Sequence, residues 1–107
     1  MSILDVWFNG CELIANERIR QQEVEGYTRR RDDHYVNNEL ALAGAWYAIP
    51  QVTRRVLEDN DADLWPWDSE YFKAGAESIK GRIRELVKAG ALIAAEIDRL
   101  QALEQTS

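Results

Sequence analysis

The sequence predicts an all-α fold: one domain, a bundle of about four helices, with a buried C-terminal helix at its centre. Three observations point there. Apolar residues recur at the helical intervals of three and four. No segment alternates apolar and polar residues as a strand does, and no Asn-Gly hairpin signal occurs. The stretch from Leu86 to Ala95 is apolar on most helical faces, interrupted only by Lys88. A helix of that kind is contacted from several sides. The 107 residues suit one domain over 1–107 and a single core.

The first helix is expected over 3–25. Ser2, with Asp5 three residues later, reads as an N-cap with a variant capping box. Leu4, Trp7, Cys11 and Ile14 form one stripe, with Phe8, Ala15 and Ile19 beside it. Beyond Ile14 the segment turns polar, and Gly26 is a stop signal. Residues 27–37 follow no period and read as a structured loop.

A second helix is expected over 38–49, capped by Asn37 or Asn38, with Glu39 in the first turn where a carboxylate suits the macrodipole. It is apolar nearly all round and ends at Pro50. A short helix over 51–58 follows, with Val52, Val56 and Leu57 facing inward. A long loop comes next, packed by its own Trp65, Trp67, Tyr71 and Phe72. The last helix starts between Ser78 and Arg82 and runs to Leu103, its central part over 83–103. Ile83, Leu86, Gly90, Ile93, Ile97 and Leu100 form its main inward stripe.

Hydrophobic residues make up 46% and charged residues 30%, a globular balance rather than a disordered one. The net charge of −6 argues against a nonspecific nucleic-acid coat. Cys11 is the sole cysteine, so no internal disulfide forms, and its apolar neighbours suggest a small buried hydrophobe. No apolar run is long enough for a bilayer and no signal segment opens the chain, so a reducing cytoplasm is expected.

Few residues carry chemistry. Phosphate-cradling glycine loops, His-Glu-x-x-His, zinc-type cysteine pairs and Gly-x-Ser-x-Gly do not occur, which leans away from an enzyme, and no cofactor or metal is expected. Lys88, in an apolar helix, must snorkel, pair or lose its charge. A pair with Glu39, Asp32 or Glu17 is expected, within a buried charge set that includes Glu96. The acids Glu17, Asp32, Asp33, Glu39, Glu96 and Asp98 could instead hold Mg²⁺ through oxygen ligands, as helical nucleotide pyrophosphohydrolases do. Glu96 and Asp98 are two apart, however, and share no helical face. Arg29, Arg30 and Arg31, flanked by Tyr27, His34 and Tyr35, form a basic-aromatic cluster suited to phosphates and bases. The adjacent Asp32 and Asp33 equally allow an ion-paired loop. Trp65-Pro66-Trp67 is either a stiff binding surface or a lid over the core.

Four stretches, Glu17–Tyr35, Asn38–Ala48, Leu64–Asp68 (LWPWD) and Leu86–Leu100 (LVKAGALIAAEIDRL), resemble in order and spacing a family of small bacteriophage and prophage proteins. The chain departs from that pattern at Arg29–Arg31, where an acid or His is usual. It departs again at Tyr71–Ala74, where paired tryptophans and Lys-Pro are usual. The resemblance implies a phage or mobile-element origin and carries no catalytic residue. Small acidic helical proteins of that origin are often counter-defence factors. The expected function is therefore a non-enzymatic, anti-CRISPR-like inhibitor that binds a host Cas protein complex or its single-stranded nucleic acid. The alternatives are an Mg-dependent nucleotide-binding protein and a dimerisation module, in which the Ala/Gly-rich last helix packs on a copy of itself.

Overall fold

The computed structural model describes residues 8–24 and 38–106. They form an all-α fold in the order α1 (Gly10–Val24), α2 (Glu39–Ala48), α3 (Gln51–Asp59), a single 3-10 turn (Ser69–Tyr71) and α4 (Ile79–Thr106). Both α1 and α2 pack along α4, the central element. No helix among the described residues is long and apolar enough to cross a membrane.

α1 begins later than its periodicity suggests. Asn9 and Glu12 form a reciprocal capping box. The Glu12 N–H donates to Asn9 Oδ1 (2.9 Å), and the Asn9 N–H donates to Glu12 Oε1 (3.1 Å). Phe8 and Asn9 are not helical, so a continuous helix over 3–25 does not form. The expected cap at Ser2 and the apolar Leu4 and Trp7 lie outside the described residues. Cys11 is exposed rather than buried. It lies in the first turn, one turn ahead of Ile14, the position that abuts α4 at Gly90.

Asn38 takes the N-terminal position of α2 in the left-handed region, φ 66, which asparagine tolerates better than most residues. Its side chain makes no cap bond. Ile49 is extended, as a residue before proline must be, and α3 starts directly after Pro50. Within α3, Val52 and Val56 face solvent, and Arg54 turns inward. Of the face expected to point inward, Leu57 is half-buried, while Val52 and Val56 give way to Arg54, which has partners in the interior.

The core consists of Leu40, Ala43 and Tyr47 from α2 with Ala89, Leu92 and Ala95 from α4. Half-buried Trp65, Trp67 and Phe72 close it from the long loop. Tyr47 meets the Phe72 ring at 4.7 Å and the Trp65 ring edge-on at 5.6 Å, while Trp65 and Trp67 are perpendicular at 5.3 Å. The Trp65 indole N–H donates to the Asp68 carbonyl, folding the WPWD turn on itself. The loop is therefore packed by its own aromatics, with the exception of Tyr71, which is exposed.

Of the main stripe expected on α4, Ile83 and Gly90 are half-buried, and the rest is turned outward. Leu86, Ile93, Ile97 and Leu100 are 44–50% exposed. The buried positions are Gly81, Glu85, Ala89, Ala91, Leu92, Ala95, Glu96, Arg99 and Ala102. Close approach of backbones explains the choice. A Cβ added to Gly44 of α2 would stand 3.1 Å from the Ala89 carbonyl, 3.1 Å from Ile93 Cγ1 and 3.5 Å from Leu92 Cβ, so α2 sits on Ala89 and Leu92 with Ile93 at its edge. Long aliphatic side chains would hold the helices apart, and they are turned to the side.

Candidate functional site

The interior contains a charged centre at the junction of α2, α3 and α4. Arg54 is 2% exposed. Its Nη2 donates to Glu85 Oε2 at 2.6 Å. Its Nη1 donates to the Ile49 carbonyl at 2.6 Å and lies 3.4 Å from those of Trp46 and Tyr47. Arg82 reaches the same carbonyls, bonding Tyr47 at 3.1 Å and Ala48, and also Glu85 Oε1 at 3.3 Å. The last turn of α2, whose carbonyls lack helical donors, is thus capped by two guanidiniums. The Gly75 N–H donates to Glu85 Oε2 at 3.0 Å, tying the loop into the centre. The Arg54 guanidinium also lies 5.2 Å from the Phe72 ring centroid. Burial alone would push the Glu85 carboxyl up. The bonds from Arg54 and the Gly75 N–H, with the Arg54 charge and Arg82, outweigh burial and hold it below the ordinary carboxylate value.

Of the acids expected near Lys88, Asp32 lies outside the described residues, and the others stand as follows. Lys88 is half-buried, its Nζ 3.4 Å from the Lys73 carbonyl and 5.5 Å from the Tyr47 ring centroid. The Tyr47 hydroxyl in turn accepts the Lys73 N–H at 2.9 Å. Glu17 accepts two bonds from Arg20 (2.6 and 2.8 Å) and one from Gln21. Glu96 is buried against Arg99 at 2.6 Å, and Arg18 of α1 reaches Asp98 of α4 at 3.3 Å. Glu39 is half-buried in the first turn of α2. Gln21 is buried, and its Oε1 has no hydrogen-bond partner.

Among the described residues, no group of three or more His, Cys, Asp and Glu stands where it could hold one metal ion. Tyr27, Arg29, Arg30, Arg31, His34 and Tyr35, with Asp32 and Asp33, lie outside the described residues. Trp65 and Trp67 are half-buried against the core.

Sequence reasoning missed the Arg54–Glu85–Arg82 centre. Its one available signal was Glu85, an acid in the stretch where α4 turns apolar, preceded by Arg82 and Arg84. It also missed the outward aliphatic stripe of α4, because periodicity reports that a stripe exists and not which neighbour it faces. No family model, curated protein or solved structure matches the chain.

Proposed function

We propose that the chain is a non-enzymatic accessory protein of a phage or mobile element. It inhibits a bacterial defence complex, in the manner of anti-CRISPR proteins, by binding a Cas protein surface or the path of its nucleic acid. The observation that carries the non-enzymatic part is the use of the described carboxylates. Glu85, Glu96, Asp98 and Glu17 each accept bonds from an arginine of the chain itself. Glu85 and Asp98 in this way tie α4 to α3 and α1, and Glu96 and Glu17 brace their own helices. A Mg²⁺-dependent hydrolase needs them converging on an ion instead. The phage side of the reading rests on the sequence resemblance, and the inhibitor side on the size, acidity and helical build common in counter-defence factors.

The test is phage plating on a host whose CRISPR–Cas system targets that phage. Expression of the chain is expected to restore plating toward that of a strain without Cas proteins. Unchanged plating across hosts of several CRISPR types, with the protein folded and abundant, would sink the reading. So would turnover of any nucleoside triphosphate with Mg²⁺. The nucleic-acid version assigns contact to the Arg29–Arg31 cluster. Replacing these three by Ala is then expected to abolish a mobility shift of single-stranded DNA at low salt. No shift with the unaltered protein removes that version and leaves the protein-contact one.

A further inference from the structure

We propose that α1 is a detachable strap. It leaves the bundle as one unit while α2, α3, α4 and the aromatic loop stay folded, and its release uncovers the side of α4 between Gly90 and Asp98. This stands independently of the counter-defence reading. The core joins α2 to α4 under the aromatic loop, and no described residue of α1 belongs to it. Among the described residues of α1 only Arg18 and Gln21 are buried, and both are polar. Ile19, next to Arg18, is 49% exposed. Leu13 and Ile14 are half-buried, with Ile14 against Gly90. Arg18 meets Asp98 at 3.3–3.4 Å, longer than the roughly 2.7–2.9 Å of a strong charge-assisted bond. The Asp98 side chain is half-exposed, where solvent screens the pair.

Gln21 is the weak point of this seat. Its Nε2 donates to Glu17 Oε2 at 3.2 Å, which fixes the end of the amide that is the carbonyl. The Oε1 atom is left buried without a partner. Docking α1 takes this acceptor out of water and gives it nothing in return, and undocking restores its hydration. Buried polar groups without partners are rare in native interiors, and this one lies where α1 is seated. On its own α1 has 15 residues, marginal for an isolated helix, so a released α1 unravels and its amides open to solvent. Ala91, fully buried, stands two turns from Asp98 on the same side of α4. With half-buried Ala94 it lies between the contacts that α1 makes at Gly90 and Asp98. Release of α1 bares these small residues beside the half-exposed Ile93 and Ile97 and widens the apolar side of α4.

The experiment is native-state hydrogen exchange on the full chain, read residue by residue by NMR and corrected for intrinsic rates. The amides of Ile14, Arg18 and Gln21 are expected to share one opening equilibrium, at least about tenfold more open than that of Ala43 and Leu92 in the core. Opening a single strap exposes little surface, so the α1 rates stay nearly flat in low urea, while the core amides speed up with the slope of global unfolding. That slope is also why global unfolding overtakes the strap in a urea transition. Gln21→Leu and Gln21→Met remove the stranded carbonyl and keep a good helix former. Each is expected to slow α1 exchange by about tenfold. Amides of α1 that exchange at the core rate with the core urea slope overturn the proposal, since α1 then opens only with the whole molecule. Rates graded from the ends of α1 inward overturn it too, because they report fraying. So do Gln21 variants whose α1 exchange is unchanged or faster.

Discussion

Arg54 shows how one charged side chain organises three elements. It enters the interior fully paired, with Glu85 on one side and the α2 carbonyls on the other. Removing one member of a buried pair leaves a charge without compensation, which costs about 3–5 kcal/mol. Arg54→Ala is expected to fall at the low end of that range, because Glu85 keeps Arg82 and the Gly75 N–H. The fall in the urea midpoint reads it directly. Arg54→Met together with Glu85→Leu is expected to recover most of the loss, and a midpoint shift below that of a typical surface substitution for Arg54→Ala alone would contradict the account. Glu85 adds a pH signature. Its carboxyl is held below 4.5 in the folded chain, so its contribution is complete above that pH. The contribution is lost as pH falls below 4.5 through the folded value. Glu85→Gln is expected to flatten this part of the stability profile while lowering stability at neutral pH. An unchanged acid limb in the variant would place the acid sensitivity elsewhere.

At the scale of elements, contacts between backbones decide which faces are hidden. Gly81, at the start of α4, lies so close to Ala76 that an added Cβ would overlap its carbonyl. Backbone cannot rotate aside as a side chain does. Gly81→Ala is therefore expected to destabilise by about 1–3 kcal/mol from overpacking, more than the roughly 1 kcal/mol gained in helix propensity. Gly90→Ala meets the Ile14 side chain at Cδ1, Cγ1 and Cγ2, a side chain that can shift where backbone cannot, and is expected to melt above Gly81→Ala in a thermal scan. The reverse order would refute the distinction. These contacts also explain what was legible beforehand. The boundaries around Pro50 and the extent of α4 follow from local rules, namely the lost donor of proline and the periodicity of a long apolar run. The aromatic packing of the WPWD loop was legible for a similar reason, since so many rings close together must cover something. The orientation of α4 was not legible, because a sequence with both an alanine face and an isoleucine–leucine face offers two solutions. The close seat of Gly44 on Ala89 chooses between them, and that contact joins residues far apart in the chain. Arg54 was hidden for the same reason. Its partners lie on α2 and α4, and α3 alone presents it as one of three polar residues between Val52 and Val56.

The whole molecule extends 43 × 39 × 20 Å. Its thinnest dimension is about two helix diameters. Among the described residues, α1 and α2 lie along the central helix, and Leu86, Ile93, Ile97 and Leu100 of α4 stay about half exposed beside them. A single core shared by α2, α4 and the aromatic loop should also melt as one unit. Far-UV circular dichroism, which reads the helices, and tryptophan fluorescence, which reads Trp46, Trp65 and Trp67 beside the core, are expected to give coincident urea transitions. An earlier fluorescence transition would show that the loop detaches before the helices unfold.

The exposed thiol of Cys11 has a practical consequence. It is the only cysteine of the chain, and it is exposed in the first turn of α1. The protein is therefore chemically addressable at one point without any substitution. A nitroxide or a dye pair attached there would carry a ruler on every copy, and the label-to-label distance would read how two chains are arranged in solution.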